Sequence, residues 1–146
     1  MKTITSNDLF FMLRERYPNI RGDIDDAEYD VLTEAQAKEI YNSFQRSMWK
    51  VKLTQWLKNK LDCDKWAKLL IAHVIVRNAL SGAKNAKAIG LLRYRIGGDA
   101  NKGHAINVCV IDNGSAVELR ELEPQPRNGL TKLSQVEQES AWSYDF

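Results

Sequence analysis

The side chains best suited to chemistry in this chain are its two cysteines and two histidines, Cys63, Cys109, His73 and His104. Cys63 stands between Asp62 and Asp64 in the first turn of a predicted helix. The free N–H groups and partial positive charge of a helix N-terminus favour the thiolate, which is the nucleophilic form of cysteine. The two aspartates oppose this effect, so a reactive Cys63 requires a partner base. The alternative is an ordinary buried cysteine, which is what we expect of Cys109 inside a predicted strand.

Of the two histidines, only His104 is placed to be that base. His73 follows Cys63 by ten residues on the same predicted helix. At about 1.5 Å of rise per residue, the two are roughly 15 Å apart along the axis. His104 follows a glycine-containing loop and opens a predicted strand, from which it can face the helix start across a groove. We therefore expect His104 to activate Cys63, and His73 to be a packed or surface histidine.

A third group normally orients the imidazole of such a pair. The candidates lie on the predicted strand that forms a hairpin with the His104 strand. Glu123, just before Pro124, is the first choice, and Glu121, two residues earlier on the same face, is the second. Strand alternation turns Asn107 to the face opposite His104. The alternative is that these acids are solvated residues of an edge strand.

The elements that must position these residues follow from hydrophobic periodicity. Helices are predicted at 6–17, 33–47 and 63–80. Strands are predicted at 88–96, 105–111 and 116–123, and Asp112-Asn113-Gly114 is a hairpin turn between the last two. This order of elements predicts one α+β domain over 1–146. The 63–80 helix, apolar on several sides, would be central, covered by other elements and packed on an antiparallel sheet.

The composition and net charge of the chain do not point to a particular class of binding partner. The chain has 146 residues, 44% hydrophobic and 27% charged, with a net charge of +2, so no nucleic-acid or membrane partner is required. Two cysteines make no disulfide framework, and no apolar leader or membrane span is visible, so a cytoplasmic location is expected. The acidic segment Arg21 to Glu28 reads as a loop and lacks the EF-hand pattern. Neither a metal nor a cofactor is expected.

Three short runs resemble motifs of small phage and bacterial papain-like cysteine hydrolases. Asp62-Cys63-Asp64-Lys65-Trp66-Ala67 is similar to the Asp-Cys-Asp-Asp-Phe-Ala helix start of that family. Gly103-His104-Ala105-Ile106-Asn107 resembles its Gly-His-Ala-x-Asn strand, and Glu123-Pro124-Gln125 its Glu-Pro-Gln strand end. The papain-like C-terminal domain of a fungal agglutinin is similar in layout. The resemblance spans about 61–125 and implies a papain-like fold with a Cys-His-Glu arrangement.

Two features depart from the family or are left open by it. Lys65 replaces the second acid after the cysteine, so a calcium site that used this acid would be absent here. Gln55 and Asn59 precede Cys63, but spacing assigns neither to an oxyanion hole.

The resemblance implies a thiol hydrolase, a peptidase or amidase or a related acyl-transfer enzyme, that acts on a peptide or protein. Cys63 would attack the carbonyl, His104 would transfer the proton and Glu123 would hold the ring. Such a protein could be phage-encoded and act in the host cytoplasm. The alternative function is that of a non-catalytic papain-like interaction protein that binds or inhibits a host protein.

Overall fold

The computed structural model describes residues 2–58 and 60–146. The helices in this part of the chain are α1 (Ser6–Arg16), α2 (Glu34–Lys50), α3 (Cys63–Ser81) and α4 (Gln135–Glu139). The strands are β1 (Thr3–Thr5), β2 (Arg21–Asp23), β3 (Glu28–Asp30), β4 (Leu32–Thr33), β5 (Ala86–Lys87), β6 (Ile89–Arg95), β7 (Gly103–Asp112), β8 (Val117–Glu123), β9 (Gly129–Thr131) and β10 (Ser143–Asp145). One turn of 3₁₀-helix, Ile96–Gly98, lies between β6 and β7.

The described strands form two mixed sheets. The larger sheet has seven strands in the order β2-β10-β6-β7-β8-β9, with β4 paired to the end of β7. The pairs from β10 through β9 are antiparallel, whereas β2 pairs with β10, and β4 with β7, in parallel. The smaller sheet joins β1 to β3 antiparallel and β3 to β5 parallel.

The core lies on both faces of the larger sheet, and β7 divides it. On one face Ile106, Val108 and Val110 belong to the apolar cluster that includes the buried side of α1. On the other face Cys109 and Ile111 belong to the cluster that includes α2 and α3. Successive side chains of a strand point to opposite faces, so a strand covered on both sides needs a continuous apolar run. This requirement explains the sequence of β7.

The predicted start of a helix at Cys63 is confirmed, and Asp62 is its cause. The Asp62 carboxylate accepts a hydrogen bond from the backbone N–H of Lys65 at 3.4 Å and so caps α3. The helix ends at Ser81 and is capped by Gly82, whose φ of 68° is left-handed. Trp66 packs edge-on against Phe44 of α2, with ring centroids 5.9 Å apart. Neither α3 nor another helix of the described residues is long and apolar enough to cross a membrane.

The predicted architecture, a papain-like fold with a covered central helix on one antiparallel sheet, is wrong. The strands form two mixed sheets, and the parallel partners β2, β4 and β5 are only two or three residues long. Strands this short carry no readable hydrophobic period. Moreover, α3 is covered on one side only, because Ile75, Val76 and Leu80 remain exposed.

Candidate functional site

Three elements meet at one end of the larger sheet: the first turn of α3, the first residues of β7 and the last residues of β8. Because β7 and β8 are antiparallel, with Asn107 opposite Leu122, the start of β7 lies beside the end of β8. His104 and Glu123 are therefore neighbours in space, and Cys63 of α3 lies above them. The fold brings together the three residues that sequence reasoning selected.

His104 is held by Glu123 through a short hydrogen bond. The Nε2 atom of His104 lies 2.6 Å from Oε2 of Glu123. The second carboxylate oxygen, Oε1, accepts the backbone N–H of Gln125 at 3.2 Å, so the carboxylate is itself fixed. With Nε2 taken by Glu123, the nitrogen that remains for Cys63 is Nδ1. This is the geometry in which a carboxylate sets the orientation and the tautomer of an imidazole.

Tyr94 supports the same ring from the neighbouring strand. It is the direct partner of His104 in the β6–β7 ladder. The two rings pack edge to face, with centroids 5.6 Å apart and planes at 79°. Tyr94 is buried, so its ring limits the rotation of the imidazole on the side away from Glu123.

The contacts of Cys63 favour its thiolate. A hydrogen bond with the His104 ring lowers the pKa of the Cys63 thiol and outweighs the opposite effect of burial. The backbone N–H groups of Ala105 and Asp64 also donate to the sulfur and lower this pKa further. The Asp64 N–H belongs to the first turn of α3, where N–H groups have no partner within the helix. Cys63 is half-buried, so the sulfur remains accessible from the groove.

The pKa of His104 moves in the opposite direction. Burial alone lowers the pKa of this imidazole, but its hydrogen bonds to Cys63 and Glu123 outweigh burial and raise the pKa to about 9. A lowered thiol pKa beside a raised imidazole pKa favours a thiolate–imidazolium ion pair. Because the two groups are coupled, their titration steps belong to the pair as a whole.

The two aspartates beside Cys63 are neutralised by neighbouring cations. Asp62 pairs with Lys65 at 2.9 Å, and that hydrogen bond lowers the pKa of its carboxyl group. Asp64 pairs with Lys68 at 2.6 Å and with Arg93 at 2.7 Å. Burial would raise the pKa of Asp64, but these two bonds hold it below its usual value. The negative charge that the sequence places next to the thiol is thus compensated.

An open groove of about 330 Å³ gives access to the sulfur. It is lined by backbone and side chains from α3, β6, β7 and the segment before β10, namely Cys63, Asp64, Arg93, Gly103, His104, Ala105 and Trp142. Gly103 is close to this wall, because a Cβ at this position would stand 3.3 Å from the Trp142 ring. Arg93 and Trp142 were not selected from the sequence. Their place in the groove depends on the β6–β7 and β6–β10 registers, which no local motif reveals.

Glu121, the second choice for the orienting acid, lies outside the site. Its carboxylate is completely buried and accepts hydrogen bonds from Tyr17 at 2.6 Å and from Arg16 at 3.0 and 3.1 Å. These bonds attach α1 to β8. Asn107 lies on the face opposite His104, and its side-chain amide donates to the carbonyl oxygen of Ala67 at 3.1 Å, which attaches α3 to the sheet.

The remaining candidates are also separate from the site. His73 contacts the hydroxyl of Ser43 on α2 at 2.9 Å, far along α3 from Cys63. Cys109 is fully buried and burial raises the pKa of its thiol to about 12, so we expect this thiol to be unreactive. Gln55 is exposed and does not line the groove. Asn59 lies outside the described residues.

Comparison with solved structures gives two likenesses. The chain is similar to PSL1a in the structure described as the PSL1a–E64 complex, with a TM-score of 0.75 and 21% identity over 99% of this chain and 50% of that chain. It is also similar to Polyporus squamosus lectin bound to Neu5Acα2-6Galβ1-4GlcNAc, with a TM-score of 0.72 and 21% identity over 99% of this chain and 49% of that chain. At this identity the likeness shows the fold alone, and the chain spans about half the length of these neighbours.

The comparisons correct the family assignment. No family model and no curated protein matches the chain. The two similar structures are those of a fungal lectin, so the assignment to papain-like cysteine hydrolases is wrong and the expected similarity to a fungal agglutinin fits only in part. The expected thiol-hydrolase function and its papain-like interaction alternative are wrong on the same finding, since the neighbours are described as lectins. The chemistry of Cys63, His104 and Glu123 must be argued from their contacts in this chain.

The ion pair predicts a specific pH dependence for alkylation of Cys63 by iodoacetamide. Below the lowered pKa of Cys63 the sulfur is protonated, and above about pH 9 the imidazolium loses its proton. We expect the rate to rise at a lower pH than it does for an ordinary thiol, so that Cys63 reacts faster than such a thiol at pH 7. An ordinary thiol with a pKa of about 8.5 is only a few per cent ionised there. His104→Ala should therefore lower the rate at pH 7 by about tenfold or more, as measured by mass spectrometry of the Cys63 peptide.

Cys109 is the internal control for this measurement, because its buried thiol should stay unmodified in the folded protein. A Cys63 rate that rises only above pH 8, with His104→Ala indistinguishable from wild type, would contradict the ion pair.

Proposed function

We propose that Cys63 is a nucleophilic thiol that captures electrophilic ligands covalently, with His104 as its proton partner and Glu123 as the residue that orients the ring. The observation that carries the proposal is the position of His104 between Cys63 and Glu123 at the wall of an open groove. A buried cysteine with a purely structural role needs neither a histidine partner nor access to a groove. The proposal assigns covalent ligand capture to the site and no hydrolysis of peptides or amides.

The neighbour described as the PSL1a–E64 complex supports a choice of ligand. We propose that E64 also binds to this chain, in the groove at Cys63. E64 carries an epoxide, which is an electrophile of the kind that a thiolate opens. The likeness in fold is the reason for the choice of probe, and the contacts of Cys63 are the reason to expect a reaction.

The groups at the site account for every bond and proton in the reaction. The Cys63 thiolate attacks one epoxide carbon, a carbon–sulfur bond forms and the carbon–oxygen bond of the ring breaks. The oxygen leaves as an alkoxide on the ligand and takes the proton from the His104 imidazolium. The neutral imidazole remains hydrogen-bonded to Glu123, which keeps Nδ1 on the side of the sulfur. The product is a stable thioether with no further bond to break.

Intact-mass spectrometry of the protein with E64 tests this proposal. Wild type and Cys109→Ala should gain the mass of one E64 molecule at similar rates, and Cys63→Ala should gain none. His104→Ala should slow the adduct by about 10²–10⁴-fold, which is the usual range for loss of a general acid or base. Glu123→Gln should slow it less, because it alters only the orientation of the ring.

Glu118→Gln is the matched control for Glu123→Gln, since Glu118 lies on the same strand, is more exposed than Glu123 and does not line the groove. Thermal melts check that each variant is folded. An adduct on Cys63→Ala, or no adduct on folded wild type at millimolar E64, would contradict the proposal.

A second candidate function is carbohydrate binding, which is favoured by the neighbour described as a lectin bound to Neu5Acα2-6Galβ1-4GlcNAc. The groove offers a half-exposed indole, Trp142, and an aromatic face is a common platform for a sugar ring. For this second candidate function, the groove would hold the glycan by stacking on Trp142 and by hydrogen bonds from Arg93.

Calorimetric titration with Neu5Acα2-6Galβ1-4GlcNAc tests the second candidate. Binding to wild type should weaken about fivefold in Trp142→Ala, because loss of an aromatic contact costs about 1 kcal/mol. Trp49→Ala is the control, since Trp49 is also exposed but lies outside the groove. No heat of binding to wild type at millimolar glycan, or an equal loss in both variants, would rule this candidate out.

A further inference from the structure

We infer that Arg93 forms a carboxylate-recognition site beside Cys63, so that the groove selects electrophilic ligands that carry a carboxylate near the reacting carbon. The inference rests on the proposed function, because it concerns which electrophiles the thiol captures. Arg93 lines the groove, although the opening of an epoxide by Cys63 does not require it.

The strand register puts Arg93 next to the reacting sulfur. Arg93 lies directly opposite Ala105 in the β6–β7 ladder, and the N–H of Ala105 donates to the sulfur of Cys63. Directly opposed residues of an antiparallel pair have Cα atoms about 4.5–5.5 Å apart. Arg93 and Cys63 both line the groove, so a ligand carbon at the sulfur has the guanidinium within reach of its substituents.

The Arg93 guanidinium is held in place and keeps N–H donors that can bind a ligand. Its two terminal nitrogens make one side-chain hydrogen bond each within the described residues, from Nη2 to Asp64 at 2.7 Å and from Nη1 to Ser143 at 3.3 Å. A guanidinium has five N–H donors in a planar fork, so donors remain for a ligand. About a third of the side chain is exposed, and that part opens to the groove. A fixed fork with open donors is the arrangement that recognises carboxylates.

The local charge also favours an anion. Asp64 is shared between Arg93 and Lys68, so these three side chains together carry one net positive charge. Lys68 is more exposed than Arg93 and does not line the groove. The surplus positive charge is therefore presented to a ligand through Arg93, and Lys68 provides a comparison residue of equal charge outside the groove.

Two reagents of nearly equal size separate carboxylate recognition from thiol reactivity. Iodoacetate carries a carboxylate beside the reacting carbon, whereas iodoacetamide carries a neutral amide in the same place. In a Cys109→Ala background at pH 7.5, the ratio of their rates with Cys63 measures the preference for an anion. The His104 imidazolium contributes to this ratio in every variant that keeps it.

Arg93→Gln should lower the iodoacetate-to-iodoacetamide ratio about five- to tenfold, as expected for loss of one charge-assisted contact. The iodoacetamide rate of the same variant reports any change in thiol reactivity that follows from loss of the Arg93–Asp64 pair, and the ratio removes that change. Lys68→Gln removes the same charge outside the groove and should leave the ratio within about twofold. If Arg93→Gln does not fold, Arg93→Lys replaces it, and the loss of the planar fork should lower the ratio at least about twofold.

The outcomes separate the two claims. A Cys63 that reacts with iodoacetamide no faster than an unfolded thiol overturns the proposed function. A fast reaction whose ratio is unchanged in the folded Arg93 variant overturns the carboxylate site and leaves the thiol chemistry standing. An equal fall of the ratio in the Arg93 and Lys68 variants would show a general charge effect, and this too overturns the site.

Discussion

Because β7 is paired along both edges and covered on both faces, its register is fixed, and both the core and the site depend on that register. A slip of one residue would exchange the two faces of the strand. Ile106 and Val108 would then leave the α1 cluster, and Cys109 would leave the α2–α3 cluster. The same slip would turn His104 away from Glu123. The apolar sequence that fills the core therefore also holds the imidazole in position to within one residue.

At the site, the cost of burying charged groups is offset by the hydrogen bonds between them. Burial disfavours the charged form of both the thiol and the imidazole. At Cys63 and His104 the mutual hydrogen bond and the Glu123 carboxylate outweigh this cost, so the two pKa values move toward an ion pair. Cys109 shows the result without such partners, since burial raises the pKa of its thiol to about 12. Two cysteines less than fifty positions apart thus differ in reactivity because of what surrounds them.

Local sequence signals predicted the parts of the structure that local interactions determine. The start of α3 follows from the Asp62 cap, the Thr33–Gln36 capping box begins α2, and the β7–β8 hairpin follows from its turn residues. The parallel pairings of β2, β4 and β5 were missed because strands of two or three residues have no period and their partners are distant in sequence.

The same limit of local sequence signals applies to the residues around the Cys63 sulfur. Cys63, His104 and Glu123 could be selected from a helix start and one hairpin, and the fold brings them together. Arg93 and Trp142 could not, because they reach the groove through the β6–β7 and β6–β10 pairings. Family resemblance misled in a different way: three short motifs suggested an enzyme family, whereas the two similar structures described above are those of a lectin at 21% identity.

The protonation state of His104 at neutral pH tests the central claim most directly. Nitrogen-15 NMR of the two histidine rings at pH 7.5 reports it, and His73, whose pKa is lowered by burial and by Arg77, serves as an internal reference for a neutral ring. The ion pair predicts that both nitrogens of His104 are protonated at this pH and that the ring becomes neutral near pH 9. A His104 ring that is already neutral at pH 7.5 and titrates near its ordinary pKa of about 6.5 would contradict the account.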